Sequence, residues 1–176
     1  ATGKTDKNGE VTVPEVEKTE HHSAYVVGYT DGTFGPERNM TRSEAAAIFA
    51  RLLADKNGDS ISPVAKTKFS DVPAYAWYSG YVKYLNNNGV TYGHSKTIFA
   101  PDEQITRAEF TTMAVRFFDV YGDGDAEIME QFKSFDDVSD GYWAAEYIKA
   151  AAKHGWITGY GDGSFRADYQ LSLIHI

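Results

Sequence analysis

Two short segments carry the chemistry that stands out in this chain: Thr41-Arg42-Ser43-Glu44 and its near-copy Thr106-Arg107-Ala108-Glu109. A threonine three positions before a glutamate, ahead of an apolar periodic run, fits a capping box. The hydroxyl accepts from the backbone amide of the glutamate, and the carboxylate reaches back to the threonine amide. Capping therefore accounts for Thr41, Glu44, Thr106 and Glu109. It leaves Arg42 and Arg107 unexplained. A cation in the first helical turn opposes the helix dipole, at a cost of about 0.3–1 kcal/mol. A helix start with free amides attracts anions, and a guanidinium adds a fork suited to a carboxylate. The expected ligand is an anion, a carboxylate above all. The alternative is that each arginine pairs with an acidic residue of a neighbouring segment, such as Asp71, Asp136 or Asp137.

Other chemistry is poorly supported. The chain has no cysteine, which removes disulfides, thiolate metal sites and cysteine nucleophiles. Asp55-Lys-Asn-Gly-Asp59 begins like a calcium loop but has Ser60 and Lys66 where glycine and glutamate are needed, and Tyr121-Gly-Asp-Gly-Asp125 lacks the closing carboxylate. His21-His22 has no partners at zinc spacing. Gly159-x-Gly161-x-Gly163 follows no strand, so it is no dinucleotide fingerprint. Asp136-Asp137 are adjacent repeat residues rather than a glycosidase pair. No catalytic residue, metal or cofactor is expected. Trp77 and Trp143 are candidates for stacking on a sugar face, although their helical spacing favours anchoring in the core.

The elements that position these residues recur. Gly28-Tyr-Thr-Asp-Gly-Thr-Phe34 returns as Gly93-His-Ser-Lys-Thr-Ile-Phe99 and, after a nearly equal interval, as Gly159-Tyr-Gly-Asp-Gly-Ser-Phe165. Phe69-Ser-Asp-Val72 returns as Phe135-Asp-Asp-Val138, Trp77 as Trp143, and Gly89 as Gly155. Agreement of several motifs on one period marks a repeat protein. Each unit reads as helix, turn-rich loop, helix. Tryptophan-bearing helices are expected near 75–88 and 142–154, closed by left-handed caps at Gly89 and Gly155. Arginine-led helices are expected near 41–54 and 106–119. Their apolar stripes are Ala45, Ile48, Phe49, Leu52 and Leu53, then Phe110, Met113, Ala114, Phe117 and Phe118. The fold class is mainly α, with at most very short strands in loops. Residues 55–68 and 119–134 read as polar connectors, the second with a short helix at 126–132.

Composition narrows the function. The 176 residues carry a formal net charge of −8, which disfavours a nucleic-acid partner. No run approaches the roughly eighteen apolar residues of a membrane span. Residues 1–20 read as a polar, poorly packed linker, and the Ala1 start as an excerpt of a longer polypeptide.

The repeats resemble those of the S-layer homology (SLH) domain family. The residues that carry the likeness are Phe69, Asp71, Val72, Trp77, Gly89, Gly93, Phe99, Pro101 and Ile105-Thr106-Arg107-Ala108-Glu109. The likeness covers roughly residues 22–170. It departs at Ser95-Lys96, where Asp-Gly is usual, at Ser43, and at Ala167, where proline is usual. It divides the chain into a linker at 1–20, a shortened repeat at 21–56, a full repeat at 66–121 and a truncated repeat at 132–170. The resemblance implies a three-pronged pseudo-trimer with the first helices in a central bundle and grooves between the prongs. It also implies a non-catalytic anchor on the outside of a bacterial cell wall, part of a larger surface protein exported by a signal peptide. The grooves would bind secondary cell-wall polysaccharide, often bearing pyruvate ketals on an N-acetylmannosamine-type sugar. The other reading is a surface-layer subunit that assembles by protein–protein contacts.

The third copy leaves the pattern after Gln170. Ser172, Leu173, Ile174 and His175 stand where Thr-Arg-Ala-Glu belongs. The string Leu-Ser-Leu-Ile-His-Ile also resembles translated transposon-end adapter DNA. Residues 171–176 are therefore expected to be non-native, to make few specific contacts and to start no capped helix.

Overall fold

The computed structural model describes residues 32–33, 35–122 and 134–172, together with the backbone of 4–5 and 11–12. The expected linker packing at 1–20, the 126–132 helix and residues 173–176 lie outside the described residues. Lys4–Thr5 (β1) and Val11–Thr12 (β2) form a short antiparallel pair. Four helices follow among the described residues: α1 (Arg42–Asn57), α2 (Ser79–Asn87), α3 (Arg107–Tyr121) and α4 (Ala145–Lys153). The fold is mainly α, as the repeat pattern requires.

Local chemistry sets the helix ends. Thr41 and Thr106 are N-caps with extended backbones, and both capping boxes are complete. Gly58 and Gly122 close α1 and α3 at φ 69° and 77°, a region that favours glycine. Gly89 and Gly155 adopt φ 76° and 69° just after α2 and α4. Asp55 and Asn57 belong to the last turns of α1, so that acidic stretch is a helix end rather than a loop. Helices α2 and α4 begin later than the spacing predicts. Residues 73–79 and 139–145 form successive i→i+3 turns, with Ala76 N donating to Pro73 O, Ser79 N to Ala76 O, Tyr142 N to Ser139 O and Ala145 N to Tyr142 O. Trp77 and Trp143 sit in these turns, ahead of the helices.

Packing interlocks the repeats. Helix α1 packs on α2, α3 on α4, and α1 on α3, whereas α2 and α4 do not meet. Phe49 of α1 contacts Phe110 and Phe117 of α3 at ring-centroid distances of 5.1 and 5.3 Å. The arginine-led helices are therefore central and the tryptophan-flanked ones peripheral. This corrects the expectation that the first helix of each unit forms the central bundle. The reason lies in the side chains: α1 buries Ala45, Ala46, Ala47, Phe49, Ala50, Leu53 and Ala54 around most of its circumference, as a central helix must.

A small ring joins the three copies. Ile105 N donates to Met40 O (2.8 Å), Leu171 N to Ile105 O (3.1 Å) and Met40 N to Leu171 O (2.7 Å), closing a cycle of three equivalent positions. Asn39 Nδ2 reaches both Gln104 Oε1 (3.1 Å) and Gln170 Oε1 (2.7 Å), the matching residues of the other copies. Met40, Ile105 and Leu171 are buried in the core. Two residues of the supposed tail thus contradict the expectation of few contacts: Leu171 closes the ring, and Ser172 is 1% exposed and bridges Asn39. The physical reason is that Leu171-Ser172 preserve the apolar–hydroxyl pair of Met40-Thr41 and Ile105-Thr106.

Candidate site at the arginine-led helix starts

The loops of the second and third repeats dock on the helix starts of the repeats before them. Arg42 N donates to Glu103 O (2.9 Å), Ser43 N to Pro101 O (3.0 Å) and Glu44 N to Thr41 Oγ1 (3.2 Å). The next boundary repeats this, with Arg107 N on Tyr169 O (2.8 Å), Ala108 N on Ala167 O (2.9 Å) and Glu109 N on Thr106 Oγ1 (3.2 Å). The amides expected to be free for an anion are therefore taken by protein oxygens, most of them backbone carbonyls. Any anion here must be held by side chains.

The arginine side chains cross the same boundaries. Arg42 Nε donates to Phe99 O at 2.8 Å, and Arg107 Nε to Phe165 O at 2.9 Å. Their guanidinium carbons lie 5.2 and 4.7 Å from the Phe99 and Phe165 ring centroids. A carbonyl and a ring face of the next repeat thus compensate the cation in each first turn. Arg42 also pairs with an acid of the next repeat, Nη1 to Glu109 Oε1 at 2.8 Å, and its side chain is 5% exposed. Glu109 thereby serves twice, since its Oε2 accepts from Thr106 N at 3.1 Å. His94 Nδ1 stands 3.9 Å from the same Glu109 Oε1. Arg107 is half-buried and pairs with no carboxylate among the described residues.

The acidic partners anticipated from sequence do something else. Asp71 accepts from Phe99 N (2.9 Å) and Ala100 N (2.6 Å); Asp137 accepts from Phe165 N and Arg166 N, both at 2.7 Å. These carboxylates hold the loop through the left-handed residues Ala100 (φ 60°) and Arg166 (φ 58°). A side chain at Gly93 or Gly159 would strike the Phe69 or Phe135 ring, so the Phe-x-Asp-Val motif and the glycine form one loop clamp. Repetition marked these residues in the sequence, but no local rule revealed the clamp. Asp136 is exposed, and its backbone N bonds Gly163 O.

The tryptophans do not anchor the core. Trp77 is 55% and Trp143 57% exposed, with Trp77 edge-on to Tyr78 and Tyr81. The turns that precede α2 and α4 carry them off the buried helical face. The structure brings Arg42 together with Glu109; it puts neither tryptophan ring against either arginine among the described contacts. The sequence did not mark Tyr160, whose ring lies 5.1 Å from the Arg107 guanidinium and 4.0 Å from that of Arg166. Asp162 pairs with Arg166 at 2.9 Å. The Ser164 hydroxyl and amide, and then Arg166, hold the Asp162 carboxyl well below the usual carboxylate range. No group of three or more potential metal ligands occurs among the described residues.

Comparison with known proteins matches the S-layer homology domain model to residues 15–46, 68–111 and 134–173. Cell surface glycoprotein 1 of Acetivibrio thermocellus is 39% identical over 152 residues, which cover 82% of this chain and 6% of that protein. The cellulosome-anchoring protein of the same organism is 35% identical over 166 residues, or 93% of this chain and 36% of that protein. A surface-layer 125 kDa protein of Lysinibacillus sphaericus is 34% identical over 135 residues, 76% of this chain and 10% of its own length. The chain thus spans a minor part of each of these relatives. Three matched segments, joined through one backbone ring and, in the second and third, carrying loops clamped by equivalent aspartates, Asp71 and Asp137, make the chain a member of the S-layer homology domain family.

Proposed function

We propose that this chain is a non-catalytic anchoring module that holds a larger protein on the outer face of a bacterial cell wall. It binds secondary cell-wall polysaccharide in the grooves between repeats, and carboxylate groups such as pyruvate ketals are the recognised feature. The observation that supports this most is the guanidinium fixed at each described repeat boundary, tethered through Nε so that its remaining N–H groups keep one orientation. Such a fork suits a carboxylate on a sugar better than a neutral hydroxyl. Arg42 and Arg107 are the candidate cations. Thr41, Glu44, Thr106 and Glu109 shape the helix starts that carry them. Trp77 and Trp143, being exposed, are available to stack on sugar faces. The relatives whose names denote cell-surface and cellulosome-anchoring proteins agree with the reading.

The same exposed aromatics favour a second reading, a surface-layer segment that assembles through protein contacts. Co-sedimentation with purified sacculi separates the two. The anchoring reading expects binding that disappears when the secondary polymer is extracted. Concentration-dependent self-association, with no polymer-dependent binding, would establish the other.

A further inference from the structure

The peripheral helices α2 and α4 have the same length and equivalent places in the fold, yet they are held by different means. Helix α2 is strapped. After α1 the chain runs back across it from Asp59 to Ala65, and three residues of α2 fasten that segment. Tyr84 donates its hydroxyl to Asp59 Oδ2 at 2.6 Å. The buried Ser79 hydroxyl donates to Ala74 O at 2.8 Å and accepts from Ala65 N at 3.3 Å. Gly80 lets the Ser62 carbonyl lie against the helix, where any Cβ would collide with it. On its inner side α2 and its N-cap bury Tyr78, Val82 and Leu85 in the core.

One repeat later these devices are replaced. Ala145, Glu146 and Ala150 stand at the positions of Ser79, Gly80 and Tyr84. Two fastening hydroxyls are gone, and Glu146 puts a side chain where the strap needs none. Ala144 and Ala151 stand for Tyr78 and Leu85. They are buried, but each brings far less apolar area against its neighbours. A cavity of about 40 Å³ lies between Phe135 and Val138 on one side and Ala145, Ile148 and Ala152 on the other. The lining of such a void forfeits its contacts. The firm attachment of α4 is at its far end, where the Phe118, His154 and Trp156 rings lie between 4.6 and 5.3 Å apart. Its middle is tied by Arg116 Nη2 to the Tyr147 hydroxyl at 2.9 Å, a bond that Arg51 and Tyr81 match on α2. Alanine is the best helix former, so α4 keeps its own shape while gripping α3 weakly.

We infer that α4, with the turn that carries Trp143, opens from α3 as a unit while the strapped α2 stays closed. The pivot is the aromatic cluster at the C-terminal end of α4, and the end that moves is the one over the cavity. An opening of this kind is sub-global, smaller than unfolding and larger than fraying of a helix end. Its use rests on the polysaccharide reading above: Trp143 belongs to the groove between the second and third repeats, so that groove has one adjustable wall. Polymer bound there selects the closed wall. The groove between the first and second repeats has no such freedom, because its Trp77 turn leads into a helix that is strapped down.

The test is amide hydrogen exchange of the full 176-residue chain, read by NMR at urea concentrations below the unfolding transition. The amides of 148–153 should share one opening constant, at least about tenfold larger than that of 82–88. Protection of α4 equal to or above that of α2 overturns the inference, and so do α4 values that fall away from the helix ends without a common constant. Gly80→Glu/Tyr84→Ala gives α2 the residues that α4 has under its missing fastenings and should raise the α2 constant about tenfold. Tyr84→Phe, which removes only the bond to Asp59, keeps the fold and should raise it severalfold. An unchanged α2 in both variants shows that the strap holds nothing and overturns the inference. Purified secondary wall polysaccharide, added in excess, should slow exchange in α4 and leave α2 unchanged. Polymer that binds but protects both helices alike, or neither, overturns the adjustable wall and leaves the polysaccharide reading standing. A chain that fails to co-sediment with sacculi overturns that reading, and the comparison of α4 with α2 in the free chain then decides the opening by itself.

Discussion

Glu109 shows most clearly how one side chain ties two repeats together. One carboxylate oxygen completes the capping box of α3 and the other neutralises the buried Arg42 of the preceding repeat. Removing one member of a buried pair strands the other charge, which typically costs about 3–5 kcal/mol. Glu109→Gln keeps an acceptor for the cap but leaves Arg42 uncompensated, so it should destabilise the fold by about 3 kcal/mol. Arg42→Met/Glu109→Gln removes both charges and should recover roughly half of that loss, because the bond to Phe99 O stays lost. Urea unfolding of the single and double variants measures both values. An additive result, with no recovery in the double variant, would show that the pair contributes nothing as a pair.

The elements were legible to the extent that their causes are local. Thr41, Glu44, Thr106 and Glu109 declared the starts of α1 and α3, and Gly89 and Gly155 the ends of α2 and α4, because each cap acts within a few residues. The occupants of the helix-start amides were not legible. Glu103, Pro101, Ala167 and Tyr169 supply those carbonyls from the following repeat, far along the chain, and backbone carbonyls leave no trace in side-chain pattern. Trp77 and Trp143 misled for a related reason. Their spacing to Tyr81 and Tyr147 matches a helix, but the helix starts only at Ser79 and Ala145. Since both indoles are more than half exposed, Trp77→Ala and Trp143→Ala should each cost less than about 1 kcal/mol in thermal or urea unfolding. A cost above about 3 kcal/mol, typical of a buried tryptophan, would contradict their placement.

At the scale of the whole molecule, a short ring of three backbone hydrogen bonds holds the repeats in a pseudo-threefold arrangement. Leu171 completes it, and the residue is 5% exposed beside Met40 and Ile105. Leu171→Ala should therefore cost about 2–4 kcal/mol, measured by calorimetric unfolding, which is far more than a residue of a loose tail would cost. The ring also brings the loops of the second and third repeats onto the preceding arginine-led helices, so each of the two described grooves needs a pair of adjoining repeats. The central claim is that an acid-bearing wall polymer is the ligand of those grooves. The most direct measurement is the affinity of the chain for purified secondary wall polysaccharide before and after mild acid removes its pyruvate ketals. The account predicts tight binding to the native polymer and a loss of at least about tenfold, worth roughly 1.4 kcal/mol, once the ketals are gone. Equal affinity for the two polymers would contradict it.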